Sequence, residues 1–201
     1  MASNQSPRRK SNRFAGYDYR EPGGYFVTLC SKDMLCLFGE IKDGIMLPSS
    51  IGEIVHSEWF RISALRETVV VHQDEFILMP NHIHAIVWIM EMHDDEANIK
   101  NEVAGLKSNS LGSIIGQYKS KTSGQVNCRR KTPESTIWQR NYYDHIIRND
   151  NELAAIQKYI RDNPAKWEEE RNQGNFSYVP NILRLGDRSG RPNLISREFK
   201  R

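Results

Sequence analysis

The sequence predicts an α+β fold, a mainly antiparallel sheet with helices packed on one face. Three observations predict it. The stretch Phe76-Ile77-Leu78-Met79-Pro80-Asn81-His82-Ile83-His84-Ala85-Ile86-Val87-Trp88-Ile89 reads as two apolar strands joined at a turn-favouring Pro-Asn dipeptide. Three other segments carry apolar residues at helical spacing. Along the chain the elements run strand, helix, two strands, helix, strand, helix, an order that suits a sandwich of ferredoxin-like (RRM-like) type.

In order, residues 1–20 form a basic N-terminal arm. Gly23-Gly24 precedes Tyr25-Phe26-Val27-Thr28-Leu29-Cys30, a run of strand formers. Leu35 to Leu47 reads as a small hairpin turning at Lys42-Asp43-Gly44. Ser50 and Glu53 make a capping box, and Ile51, Ile54, Val55, Trp59 and Ile62 follow as the stripe of a helix over 51–63. Val69-Val70-Val71 leads into the central hairpin, and polar residues 91–109 form a surface loop. Leu111, Ile114, Ile115 and Tyr118 give a second helix ending at Lys119 and Lys121, followed by a Gly/Ser/basic linker over 122–135. Residues 137–147 read as a strand. Asn149 and Glu152 open a third helix with the stripe Leu153, Ile156 and Ile160, and Pro164 ends it. One domain over 21–168 follows, with a charged C-terminal extension over 169–201.

The 38% of hydrophobic residues support a core, while a mean hydropathy of -0.64 points to polar ends. The net charge of +3 does not by itself announce a nucleic acid, but its distribution is uneven. Residues 1–17 hold Arg8, Arg9, Lys10 and Arg13 and no acid; residues 103–133 hold Lys107, Lys119, Lys121, Arg129, Arg130 and Lys131 and no acid. Such blocks bind phosphate backbones or are simply solvated. Cys30, Cys36 and Cys128 make no zinc spacing and suit a reducing cytoplasm. No signal core and no run of transmembrane length is present.

Two clusters carry chemistry. His82 and His84 alternate with Ile83 on a strand, so both imidazoles share one face. They read either as a pair of metal ligands or as hydrogen-bonded core histidines. His72 is a further ligand candidate or an exposed hairpin-end residue. Tyr159 and Asn163 sit four apart on one face of the third helix, a phenol beside an amide, or else a packing residue and a helix-end residue.

The chain resembles the single-tyrosine His-hydrophobic-His transposases, in their REP-associated branch. The stretches that carry the resemblance are GYDY at Gly16–Tyr19, YFVTLC at Tyr25–Cys30, the MPNHIHAIVWI core, LGSIIGQYKS at Leu111–Ser120, WQRNYYDHIIR at Trp138–Arg148 and YIRDNP at Tyr159–Pro164. Their order and spacing match over most of residues 12–168. The resemblance implies cleavage and rejoining of single-stranded, hairpin-forming DNA in a bacterial cytoplasm, in association with the nucleoid, by a monomer or homodimer. It implies Tyr159 as nucleophile, forming a 5′-phosphotyrosine and freeing a 3′-hydroxyl. It implies His82 and His84 as ligands of a divalent metal, Mg²⁺ or Mn²⁺. Where the insertion-sequence branch has glutamine as the remaining ligand, Asn163 stands here, with a shorter reach. The basic residues Arg8, Arg9, Lys10, Arg13, Lys119, Lys121, Arg129 and Arg130 are the candidate DNA contacts. A tyrosine phenol ionises near pH 10 in water, so such a nucleophile needs a base or a polarised phosphate. Tyr142 and Tyr143 are rival nucleophiles, and His145 is either an accessory to the site or structural. A catalytically retired nucleic-acid-binding module of the same fold is the alternative function, and a hydrolase of small phosphates a third.

Overall fold

A computed structural model describes residues 16–91 and 109–173. Its elements are β1 (Gly23–Cys30), β2 (Gly39–Lys42), β3 (Ile45–Pro48), α1 (Ser50–Leu65), β4 (Val69–Val70), β5 (Phe76–Met79), β6 (His82–Ile89), α2 (Leu111–Arg130), β7 (Tyr143–Ile146) and α3 (Asp150–Asn172).

β6 pairs with β1, and β1 with β7; β4 and β5 follow one another along the far side of β6, and every pairing is antiparallel. With β4 and β5 counted as one broken strand, this is the βαββαβ order of the ferredoxin-like fold. β2 and β3 form a separate hairpin. Its turn residues Asp43 and Gly44 both have positive φ, 51° and 71°, the pair a tight two-residue hairpin turn requires.

Alternation along the strands sorts two faces. Tyr25, Val27 and Leu29 of β1 and Ile83, Ala85, Val87 and Ile89 of β6 pack with α1 and α2 in the larger core. Phe26, Ile86 and Trp88 point the other way and pack with Leu153, Ile156 and Ile160 of α3. The antiparallel α+β fold is as expected, and the two helices of the repeating unit do share one face. α3 differs: it covers the opposite face, the one to which His82 and His84 belong.

Four local boundaries also differ. α1 is capped by Ser49, whose hydroxyl accepts from Ile51 and Gly52 N–H at 3.2 and 3.1 Å, one residue before the expected cap. α2 runs on through the segment read as a linker, because Thr122 and Val126 continue the buried stripe of Leu111, Ile115 and Tyr118. Of the expected strand over 137–147, only Tyr143–Ile146 is a strand, preceded by an isolated bridge between Trp138 and Ser31.

Pro164 does not end α3. It lies inside the helix, buried with Asn163 and Trp167. A proline removes one helical hydrogen bond, here to the Ile160 carbonyl. Tertiary contacts beyond it outweigh that loss. Trp167 packs with Ile41 and Met79, and the Glu168 carboxylate accepts from Asp43 N–H at 3.1 Å and Gly44 N–H at 2.6 Å. The helix therefore passes through position 168, where a domain boundary was expected.

Candidate active site

His82 and His84 project from β6 toward α3 with their Nε2 atoms 3.0 Å apart. Each outer nitrogen is held as well. His82 Nδ1 lies 2.7 Å from Asn81 Oδ1, and His84 Nδ1 lies 2.7 Å from Thr28 Oγ1 on the neighbouring strand. Thr28 is there because the register sets it directly opposite His84. Asn81 is there because it closes the β5–β6 turn.

Both imidazoles are fully buried. Burial pushes the His82 ring down to about 3. Burial, and then the nearby charge of His82, holds His84 well below the usual histidine range. Both rings are thus neutral near pH 7, each with one hydrogen and one lone pair. The pair unites the two readings of the sequence, being buried and hydrogen-bonded while turning ligand-type nitrogens toward each other. It does not line an open cleft. Among the described residues, no group of three or more His, Cys, Asp and Glu side chains is arranged to hold a metal ion.

α3 brings Tyr159 to this pair. Its hydroxyl lies 3.3 Å from His84 Nε2, and the two ring centroids are 5.0 Å apart. Phe26 is the floor beneath both, stacked on His84 at 5.5 Å and edge-on to Tyr159 at 6.1 Å. Asn163 lies on the same buried stripe, and its Nδ2 donates to the Tyr159 carbonyl at 3.4 Å. One turn further, the Trp167 ring is 5.9 Å from His82.

The helix is fixed along its length. Asn149 caps it by accepting from Glu152 N–H at 2.9 Å. Glu152 in turn bonds His145 Nε2 at 2.7 Å and Arg148 N–H at 2.7 Å, which makes His145 part of the helix start. Two residues before Tyr159, Gln157 donates to buried Glu75 at 2.9 Å. The other Glu75 oxygen accepts from Trp88 Nε1 at 2.6 Å. Glu168, bonded to the hairpin turn at Asp43 and Gly44, holds the far end.

The other expected residues are dispersed. Tyr143 lies across from Thr28 on β7, with its ring edge-on to Phe26. Tyr142 packs against the larger core, with Lys119 Nζ over its ring at 5.4 Å. Lys119 donates to the carbonyls of Gln139 and Asn141 at 2.9 and 3.1 Å, and burial lowers its ammonium to about 8. Lys121, Arg129 and Arg130 are exposed on α2. Arg8, Arg9, Lys10 and Arg13 lie outside the described residues, as do Lys107 and the tail after 173. His72 caps the short turn at Gln73–Glu75. Cys30, Cys36 and Cys128 are free, and burial pushes the Cys30 thiol up to about 11. No described helix is long and apolar enough to cross a membrane.

The sequence motifs include Phe26 and Thr28 as strand residues and Asn81 as a turn residue, with no part in the site. Glu75, Gln157 and Glu168 carry no local signal. Strand alternation placed Phe26 and Thr28 on one face, and adjacency tied Asn81 to His82. Nothing local joined Glu75 to Gln157 or Glu168 to residues 43–44, which are far apart along the chain.

A buried His-x-His pair on an antiparallel α+β sheet thus faces a helix-borne tyrosine. The comparisons with known proteins agree with the resemblance to REP-associated transposases. No family model matches the chain. An uncharacterised protein of Haemophilus influenzae is 36% identical over 169 residues, covering 81% of this chain and 91% of that one. A candidate REP-associated tyrosine transposase of the same organism is 28% identical over 152 residues, covering 74% of each chain. A solved REP-associated tyrosine transposase, bound to a REP hairpin, is 15% identical and has a TM-score of 0.53, covering 89% of this chain and 99% of that one. The chain belongs to one family with the uncharacterised Haemophilus protein, is similar in sequence to the candidate REP-associated tyrosine transposase, and shares its fold with the solved one.

Proposed function

We propose that this chain is a metal-dependent endonuclease and strand transferase for single-stranded DNA, acting at hairpin or repetitive palindromic sequences through a 5′-phosphotyrosine. The observation that carries the reading is the Tyr159 hydroxyl 3.3 Å from His84 Nε2, with His82 Nε2 another 3.0 Å on. A phenol beside two converging imidazoles has little to do in an apolar core. It has much to do at a scissile phosphate.

Tyr159 Oη attacks phosphorus, the new O–P bond forms, and the bond to the 3′ oxygen breaks. The phenol loses its proton and the departing 3′ oxygen gains one. The phosphotyrosine keeps the bond energy for rejoining, so no nucleotide cofactor is needed.

The residues fit a divalent cation. Both inner nitrogens converge, and both outer nitrogens are oriented by hydrogen bonds, as ligating histidines usually are. His82 and His84 would hold it, with the Asn163 amide as the further ligand. Bound there, Mg²⁺ or Mn²⁺ supplies Lewis-acid polarisation of a phosphate oxygen. Two imidazoles suit Mn²⁺ better than Mg²⁺ on ligand softness. The imidazoles are fully buried under Tyr159, so a phosphate reaches them only where the Tyr159 side chain moves off them. Lys121, Arg129 and Arg130, with the N-terminal Arg8, Arg9, Lys10 and Arg13, are the proposed DNA contacts. The DNA-bound state of the solved relative supports that partner class. Monomer and homodimer both remain compatible with this chemistry.

The full burial of the pair also favours a second reading, a nucleic-acid-binding module that no longer cleaves. One assay separates the two. End-labelled hairpin DNA is incubated with the protein and Mn²⁺ and run on a denaturing gel, with mass spectrometry of any modified peptide. A DNA adduct on Tyr159 is expected. Tyr159→Phe retains binding and loses the adduct, and chelator abolishes cleavage. Binding with no adduct under any metal condition establishes the second reading, and an adduct on Tyr142 or Tyr143 moves the nucleophile to the start of β7 or the residue before it.

A further inference from the structure

The two imidazoles differ in what holds their outer nitrogens. Asn81 is 5% exposed, and its carboxamide is oriented from its own nitrogen, since Nδ2 donates to the Met34 carbonyl at 3.1 Å. Flipping the amide would set its oxygen against that carbonyl, oxygen to oxygen. Oδ1 is therefore the atom 2.7 Å from His82 Nδ1, and a carboxamide oxygen only accepts. His82 Nδ1 carries the ring's hydrogen, and its Nε2 is a bare lone pair aimed at His84.

Thr28 treats His84 differently. Its hydroxyl lies 2.7 Å from His84 Nδ1, and a hydroxyl donates or accepts by turning its hydrogen. With His82 Nε2 bare, the 3.0 Å contact between the rings requires a hydrogen on His84 Nε2. Thr28 then donates to His84 Nδ1. If His84 Nε2 is to become a lone pair, that hydrogen is given up to solvent and one is regained at Nδ1, where Thr28 turns and accepts it. Each ring holds one hydrogen before and after.

We propose that Asn81 is a positioning residue that locks His82 in the Nδ1–H form, its Nε2 lone pair always turned inward, while Thr28 is a rotor that lets His84 pass from hydrogen donor to ligand. This rests on reading the pair as a metal site. The β5–β6 turn thus does more than reverse the chain. The loop at Lys32–Met34, with Asp33 and Met34 at φ 55° and 56°, turns the Met34 carbonyl to meet Asn81. The Asn81 main-chain carbonyl is itself held, accepting from Ser31 N–H at 2.8 Å.

Long-range ¹H–¹⁵N correlation on the full chain with ¹⁵N-labelled histidine reads each tautomer directly. In chelator, His82 is expected as Nδ1–H and His84 as Nε2–H; with saturating Mg²⁺, both are Nδ1–H. Asn81→Ala spreads His82 over both tautomers and weakens Mn²⁺ binding, by calorimetry, about 10- to 100-fold. The His82 tautomer of the unsubstituted chain carries the test if Asn81→Ala does not fold. Thr28→Val weakens Mn²⁺ binding, and Thr28→Ser restores it. His82 found as Nε2–H in chelator overturns the proposal even if Mn²⁺ binds. If neither cation binds while the chelator tautomers are as stated, the metal reading and the Thr28 rotor fall and the Asn81 lock stands.

Discussion

On one face of β6, Ile83, Ala85, Val87 and Ile89 meet α1 and α2; on the other, His82, His84, Ile86 and Trp88 meet α3. The same strand, buried over its whole length, serves both. On the first face β6 presents only apolar side chains, and the helices over it are joined by aromatic contacts, with Trp59 edge-on to Tyr118 at 5.1 Å and near Phe76 at 5.7 Å. The second is zoned along the strand. Its Trp88 end packs with the N-terminal half of α3, and its histidine end faces Tyr159 and Trp167. Burial alone does not distinguish the faces. What distinguishes them is that the second face of β6 itself carries polar rings, each held by hydrogen bonds. Such groups are costly to bury unless every one is bonded.

The sharpest break in the comparison comes from the apolar face. Trp59 is fully buried, and Trp59→Ala should cost about 3–5 kcal/mol, as large aromatic truncations in cores do. Thermal or urea unfolding measures it. Any tyrosine–DNA adduct formed below the new midpoint should remain on Tyr159, since α1 does not touch the site.

Acid probes the other face. Burial holds His82 down to about 3, while an unfolded chain protonates it near 6.5. Below that pH the unfolded state takes up a proton that the folded state refuses. Stability from this group is therefore full above about pH 6.5 and drains as the pH falls toward about 3. His82 alone should remove on the order of 1 kcal/mol by pH 5.5, with His84 acting in the same direction. Urea midpoints across pH 5–8 check it, and flat midpoints would mean that the rings are not buried neutral.

The smallest expected effect on stability is at the far end of α3. Glu168→Ala removes the two hydrogen bonds to the hairpin turn at a half-exposed position and should cost about 1 kcal/mol or less. The yield of covalent DNA adduct should fall by more than the fraction unfolded, because this tether fixes the helix that carries Tyr159. An adduct yield that tracks folding alone would make Glu168 a matter of packing.

Much of the architecture was legible in local sequence. The central hairpin, its Pro80-Asn81 turn, the Asp43-Gly44 turn, the Asn149 cap and the starts of α2 and α3 follow from turn chemistry and periodicity. So does the shared face of His82 and His84. The differences lie at both kinds of end: the α1 cap falls one residue early and the strand over 137–147 begins only at Tyr143. The two largest are C-terminal, where Thr122 and Val126 carry α2 and Trp167 carries α3 past their expected stops.

By itself the sequence determined the order of elements, the alternation that gives β6 two faces, and the pairing of Tyr159 with Asn163 on one side of a helix. These are consequences of periods of two and 3.6 residues, which act between near neighbours. Only the tertiary structure decided that α3 crosses to the histidine face and runs past its proline. The reason is physical. The contacts that fix it, Gln157 with Glu75 and Glu168 with Asp43 and Gly44, join residues up to 125 positions apart and form only once the sheet has assembled.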